Sequence, residues 1–279
     1  MTAQIIDGKK YSIEIIKEIS MEVVKMKIKP CLAVLLVGND SASEVYVSNK
    51  EKASKKAGFV SKLIRYAKNV TEKELLKKIN EMNNDTSING FIIQLPLPKH
   101  INQKNIIEAI SPNKDADGFT TTNLGNMFVD KKCILPATAR GVMYLIEKEV
   151  DKIAGKNITI VGASNIVGKP LAVLLLEKMA TVTVCNIQTK NLNEHTKNAD
   201  IIIVAVGKAN LITKEMVKKG VIIIDVGMNQ LNYGSFCGDV ASDVSEIAGK
   251  ITPVPGGVGP MTVAMLLKNT LDCVKMQEQ

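Results

Sequence analysis

The sequence predicts an α/β protein with two α/β domains flanking a cleft. Two observations carry this. Short apolar runs that read as buried strands alternate with segments whose apolar residues recur at helical spacing, the rhythm of parallel strands joined by helical crossovers. The rhythm breaks at a polar joint, Lys152 to Lys156, and restarts with strands at 157–161, 181–185, 200–206 and 221–226. Strand starts roughly 20 residues apart are the spacing of a doubly wound, Rossmann-like parallel sheet. The 279 residues suit two medium domains. The expected division is 1–140 and 141–261, with the C-terminal helix 262–279 returning to the first domain and tying the halves across one cleft.

The elements follow in order. Tyr11, Ile13, Ile15, Ile16, Ile19, Val23, Val24 and Met26 place a helix over 9–28. Cys31 to Val37 is a continuous apolar run, hence a buried strand ended by Gly38-Asn-Asp40. A helix over 42–57 opens on Ser41-x-x-Glu44, which reads as a capping box, and stops at Gly58. A strand at 59–66, a helix at 72–82 and a strand at 90–94 complete the first half, the last ending in Leu95-Pro-Leu-Pro98. Residues 99–111 read as a short helix, 112–126 as irregular and 139–150 as a helix. The second half closes with a strand at 250–253 and a final apolar helix from Val263.

Between these last two lies Thr252-Pro-Val-Pro-Gly-Gly-Val-Gly-Pro-Met-Thr262. Its glycines 256, 257 and 259 free the backbone, while prolines 253, 255 and 260 stiffen it. A rigid loop with bare backbone where a strand gives way to a helix suits close approach of a flat ligand; a tight structural turn is the alternative.

Bulk properties narrow the class. Hydrophobic residues make up 46% of the chain, as in an ordinary globular protein, and no apolar run is long enough to cross a bilayer. The N-terminus lacks a basic segment followed by an apolar one, so a soluble, cytoplasmic protein is expected. Five cysteines with no close pair argue against a disulfide framework or zinc ribbon, and with two histidines no metal cluster is read. A net charge of +8 accompanies only 4% aromatics and no Arg-rich stripe, which disfavours nucleic acid and favours attraction of small polyanions.

Four constellations hold chemistry. Gly162-Ala163-Ser164-Asn165-Ile166-Val167-Gly168 joins a strand to a helix, and its amides and helix N-terminus could hold a phosphate or ribose; a plain turn fits equally. Tyr46 and Lys50, four apart, share a helix face. A solvated face is the alternative, with Lys52, Lys55 and Lys56 nearby, but a lysine desolvated against a wall transfers protons near neutrality. Tyr-x-x-x-Lys also occurs in short-chain dehydrogenases, where it follows the nucleotide glycines; here it precedes them. Gln94 ends a strand at the carboxyl edge where open α/β sheets bind ligands. Asp115-Ala-Asp117 supplies carboxylates in the next loop, or merely an Asx turn.

Together these segments resemble the bifunctional methylenetetrahydrofolate dehydrogenase/methenyltetrahydrofolate cyclohydrolase family over almost the whole chain. The carrying strings are Tyr46-Val-Ser-Asn-Lys50, Gln94-Leu-Pro-Leu-Pro98, Lys114-Asp-Ala-Asp-Gly-Phe119, Gly162-x-Ser-Asn-Ile-Val-Gly-Lys-Pro170 and Pro255-Gly-Gly-Val-Gly-Pro-Met-Thr262. The resemblance implies a homodimer with a folate-binding catalytic domain and an NAD(P)-binding domain, no metal, and no nucleic-acid or membrane partner. It implies oxidation of 5,10-methylenetetrahydrofolate to the methenyl form with NADP or NAD, then hydrolysis to 10-formyltetrahydrofolate. A monofunctional relative with one of the two activities is the alternative, and a non-enzymatic nucleotide sensor a third reading.

By matching position, Lys50 is the general acid/base, Gln94 hydrogen-bonds and tunes it, Tyr46 stacks on the folate, and Asp117 binds the pterin. Leu95, Pro255, Gly256, Gly257 and Pro260 complete the substrate contacts. Gly162, Ala163, Ser164, Ile166, Val167, Gly168, Asn186, Ile187, Thr189, Val206 and Gly207 are expected at the cofactor. The chain departs from the family at three places. Ala163 stands where Arg is usual, Cys185-Asn-Ile-Gln-Thr189 replaces Cys-His-Ser-Lys/Arg-Thr, and Pro136-Ala-Thr-Ala-Arg140 replaces Pro-Cys-Thr-Pro. The usual holders of the NADP 2′-phosphate are thus absent, which implies weakened NADP preference and NAD use.

Overall fold

The structure is a computed structural model that describes residues 2–231 and 234–278. The chain divides into two compact units. One is Ile13–Ala137 with the C-terminal stretch from Val263; the other is Thr138–Thr262 with the N-terminal stretch up to Ser12. The divisions fall inside helix α1, Gly8–Val23, and helix α9, Val258–Gln277.

The first unit is built on a three-stranded parallel sheet in the order β3-β2-β4, with β2 at Cys31–Val37, β3 at Val60–Tyr66 and β4 at Gly90–Ile93. Every residue of β2 is buried, as expected of a central strand covered on both faces. Its Leu32 pairs with Ser61 of β3 and Gly90 of β4. Helix α2, Ser41–Lys56, and helix α3, Glu72–Asn84, are the crossovers. Leu75, Ile79 and Met82 of α3 pack into a core with Leu35, Phe91 and Ile106. Helix α4 spans Gln103–Glu108 and helix α5 spans Thr121–Phe128.

Helix α6, Ala137–Glu149, leads into the second sheet, six parallel strands in the order β1-β11-β8-β7-β5-β6. The strands are β1 Gln4–Ile5, β5 Asn157–Val161, β6 Thr181–Cys185, β7 Ile201–Val204, β8 Ile222–Asp225 and β11 Lys250–Ile251. Helix α7, Gly168–Glu177, and the short helix α8, Leu192–Thr196, serve as crossovers, and a small antiparallel pair, β9 Asn229–Gln230 and β10 Phe236–Cys237, follows β8. From β6 to β11 the strands run second, first, third, fourth and fifth in chain order, so the order reverses between β5 and β7. That reversal is the switch point where doubly wound sheets open a ligand crevice.

Several expectations are corrected. Helix α1 ends at Val23 rather than residue 28. Val24 and Ile28 are exposed, with nothing to pack against, and Pro30 disfavours helix in the residue before it. Helix α2 is capped by Asp40, whose carboxylate accepts from the Ser43 N–H at 2.9 Å; Glu44 pairs with Arg65 of β3 and closes no capping box. A helix, α5, occupies part of 112–126, capped by Thr120 and tied down by the buried Asn123. Helix α9 starts at Val258, so Val258 to Thr262 is helix rather than loop. Pro260 is tolerated there because first-turn N–H groups have no helical acceptor.

Candidate active site

In the first unit the capped helix α2 carries Tyr46 and Lys50 on one face. Lys50 Nζ donates to Gln94 Oε1 at 2.9 Å. Gln94 follows β4 directly; its backbone N–H donates to Leu35 O at 2.9 Å, and its Nε2 donates to Leu95 O at 2.8 Å, which orients the amide. Gln94 is only 8% exposed, whereas Tyr46 is 37% exposed.

Asp117 reaches the same site from the loop beside β4. A parallel bridge pairs Asp115 with Phe91, so the loop extends the sheet edge. The buried Asp115 carboxylate then folds the loop, accepting from Gly118 N–H at 2.9 Å, Thr120 N–H at 2.8 Å and Asn123 Nδ2 at 3.0 Å. Gly118 adopts φ +73° against the Ile134 and Leu135 backbone, where a side chain would collide. Burial pushes the Asp117 carboxyl up to about 6, a rise that Lys50 opposes and Asp115 reinforces. Burial pushes the Lys50 ammonium below the usual lysine range, and Asp117 opposes that fall. Burial thus moves both groups toward their neutral forms, while their mutual attraction opposes it.

In the second unit the loop after β5 meets the loop after β7 at the switch point. A Cβ on Gly162 would strike the Ala205 carbonyl, and one on Gly168 would strike the Gly162 carbonyl, so only glycines permit this approach of strand, turn and helix. Ser164 Oγ accepts from Val167 N–H at 3.1 Å, shaping the entry into α7. Gly207 takes φ +68° with open space where a side chain would stand. Bare backbone beside the N-terminus of a ten-residue helix fits the pyrophosphate and ribose of a dinucleotide. The turn after β6 differs: Asn186 N–H donates to Thr189 Oγ1 at 2.8 Å and Gln188 N–H to Asn186 Oδ1 at 2.9 Å. These side chains close their own turn, Ile187 stands 96% exposed, and Ala163, Asn186, Ile187 and Gln188 offer no charge.

In the same unit the segment from Thr252 is held from within. Lys9 N–H donates to Gly256 O at 2.9 Å, and Gly8 lies so close to the Gly257 carbonyl that a Cβ would overlap it. Gly257 itself lies against Thr252 and Pro253, and Gly256 takes φ +111°. Internal packing and backbone conformation therefore account for the glycines at 256 and 257. Gly259 faces open space and is the one whose bareness no neighbour demands.

The structure thus joins Lys50, Gln94 and Asp117 in one unit, and Gly162, Gly168 and the end of β7 in the other. Asp115, read from the sequence as a loop carboxylate or an Asx-turn former, folds the Asp117 loop. Sequence reasoning missed Asp225 and Asp239 at the carboxyl edge of the second sheet, where the adjacent glycine in Gly238-Asp239 is the one local signal.

Comparison with known proteins agrees with this geometry. Residues 6–117 match the model of the tetrahydrofolate dehydrogenase/cyclohydrolase catalytic domain, and residues 136–278 that of its NAD(P)-binding domain. The chain is 49% identical over 279 residues to the bifunctional protein FolD of Cupriavidus pinatubonensis, covering 99% of each. The crystal structure of the bifunctional FolD enzyme from Campylobacter jejuni superposes with a TM-score of 0.96 at 46% identity, covering 99% of both chains. That of the Trypanosoma brucei dehydrogenase-cyclohydrolase, complexed with NADP cofactor and inhibitor, gives 0.95 at 34% identity, covering 100% of this chain and 99% of that one. The chain belongs to the tetrahydrofolate dehydrogenase/cyclohydrolase family.

Proposed function

We propose that the protein oxidises 5,10-methylenetetrahydrofolate to 5,10-methenyltetrahydrofolate and hydrolyses the product to 10-formyltetrahydrofolate. The observation that carries this is the Lys50–Gln94 hydrogen bond of 2.9 Å beside Asp117, with Lys50 shifted toward its neutral form. A lysine kept only for charge needs no such shift. In the hydrolysis, water adds to the methenyl carbon and gives up a proton to Lys50. The bond from that carbon to N5 then breaks as the hydroxyl proton leaves and the formyl C=O forms; N5 takes the electron pair and a proton, one proton is released overall, and the formyl group stays on N10. Gln94 holds the amine in line, Tyr46 stacks on the ring system, and Asp117 accepts hydrogen bonds from the pterin amino and ring N–H groups. Leu95 adds a substrate contact beside Gln94. The oxidation needs no acid or base from the protein, only alignment of the two rings.

A bound nicotinamide dinucleotide supplies the hydride acceptor. Gly162, Ser164, Ile166, Val167 and Gly168 would hold it at the start of α7, with Val206 and Gly207 opposite and Asn186, Ile187 and Thr189 at the adenosine end. No cation stands at Ala163 or within 186–188 to pair a 2′-phosphate, so NADP preference is weakened and NAD serves as the acceptor. It works in the cytoplasm as a homodimer. No described helix is long and apolar enough to cross a membrane.

The test is one assay run with each nucleotide, following reduced nicotinamide from 5,10-methylenetetrahydrofolate, and a second following methenyl hydrolysis without nucleotide. Both activities are expected, with kcat/KM for NAD above that for NADP. Equal efficiencies, or a clear NADP advantage, would refute the cofactor reading alone. Hydrolysis with no reduction would replace the bifunctional reading with a monofunctional cyclohydrolase.

A further inference from the structure

Beyond β7 the backbone turns through Val206, Gly207 and Lys208, and three consecutive amides of this turn point at one carboxylate. Val206 N–H donates to Asp239 Oδ2 at 2.8 Å, Gly207 N–H to Oδ2 at 3.0 Å and Lys208 N–H to Oδ1 at 2.9 Å. Asn229 Nδ2 supplies a fourth bond, to Oδ1 at 2.9 Å. Asp239 has no exposed surface. A second buried acid fixes it in place: Asp225 accepts from the N–H groups of Gly227, Asp239 and Val240, each at 3.0 Å. The two acids interlock, since a Cβ on Gly227 would run into the Asp239 carboxylate and one on Gly238 into that of Asp225.

We propose that Asp239 is the positioning residue for the dinucleotide cofactor. It freezes the 206–208 turn so that Val206 and Gly207 present a preset backbone at the β5/β7 switch point. A carboxylate suits this task because two oxygens offer about four lone-pair sites, one for each converging donor. Charge-assisted bonds of this kind are about twice as strong as neutral ones. An amide in the same place accepts on one side only and turns an NH2 toward amides that also donate. A turn ordered in advance spares the cofactor the entropy of ordering it on binding. The proposal rests on the reading of Val206 and Gly207 as cofactor contacts.

The test uses Asp239→Asn in the full chain with three readouts. These are NAD and NADP dissociation constants by calorimetry, amide hydrogen exchange across 205–209, and methenyl hydrolysis without nucleotide. Both dissociation constants should rise by about tenfold or more, exchange at 206–208 should accelerate, and hydrolysis should stay within about twofold of wild type. Unchanged affinity despite faster exchange would overturn the positioning role. So would a parallel fall in hydrolysis and affinity, which marks a general structural defect. The underlying reading is checked in the wild type, where saturating nucleotide should slow exchange at 206–208; no slowing would sink that reading whatever the variant does. If Asp239→Asn does not fold, Asn229→Ala leaves the carboxylate and removes one donor. A few-fold loss of affinity is then expected, and none at all, with faster exchange, would again overturn the proposal.

Discussion

Replacing Lys50 by Met tests the proton-transfer reading with little change of volume. Among the described residues the side chain makes one hydrogen bond, to Gln94 Oε1. Its loss strands an acceptor on a residue only 8% exposed, at a cost of about 1–3 kcal/mol. Relief from burying an ammonium offsets part of this, leaving a net loss of about 1 kcal/mol, or roughly 2–4 °C in Tm. Removing a general acid/base should lower the hydrolytic kcat about 10²–10⁴-fold, or about 2.7–5.4 kcal/mol of activation free energy. The assay is the loss of methenyltetrahydrofolate absorbance, corrected for the spontaneous reaction. Lys50→Arg separates proton transfer from charge: a guanidinium still donates to Gln94 but does not deprotonate in this range. It should be as inactive in hydrolysis as the Met variant. Hydrolysis within about threefold of wild type in either soluble variant would refute the role.

Three further outcomes are expected. With its carboxyl raised to about 6, Asp117 protonates as pH falls through that value, so folate affinity should drop below about pH 6 and plateau above it. In Asp117→Asn the affinity should fall about tenfold and lose this pH dependence; a persisting pH step would assign it to another group. Gly162→Ala forces a Cβ into the Ala205 carbonyl and should cost about 1–3 kcal/mol in denaturant unfolding. Gly125→Ala, in α5 with nothing within 4 Å, should instead stabilise by up to about 1 kcal/mol. Both variants unfolding at the same midpoint would contradict the packing argument. Ala163→Arg combined with Ile187→Ser should raise kcat/KM for NADP relative to NAD about tenfold or more; an unchanged ratio would show that other groups hold the phosphate.

Some of this protein was legible before any tertiary contact was known. A seven-residue apolar run such as Cys31–Val37 permits little but a buried strand, because a central parallel strand is covered on both faces. The spacing of the later strands announced the doubly wound sheet for the same reason. Boundaries were less readable. Ser41-x-x-Glu44 has the form of a capping box, yet Asp40 caps the helix and Arg65 draws Glu44 away. Helix α5 stayed hidden because it spans only eight residues, Thr121–Phe128, with Gly125 inside it, too short a stretch for a period to be read. It is held by Asn123, which donates to Pro112 O at 2.9 Å and accepts from Ile134 N–H at 3.1 Å.

For the site, the sequence by itself determined which reactive groups exist and, through the ordered strings from Tyr46 to Thr262, the family to which they belong. What a string does not encode is the environment of each group. Lys50 is an ordinary lysine in its helix until the fold buries it against Gln94; that burial lowers its pKa, and Asp117 opposes the fall. Likewise Gly256 and Gly257 read as bare backbone for a ligand, while the fold spends both on its own turn and on contact with Gly8. Asp239 acts on amides more than thirty residues earlier in the chain. Desolvation and long-range hydrogen bonding depend on which residues meet in space, so the tertiary structure alone decided them.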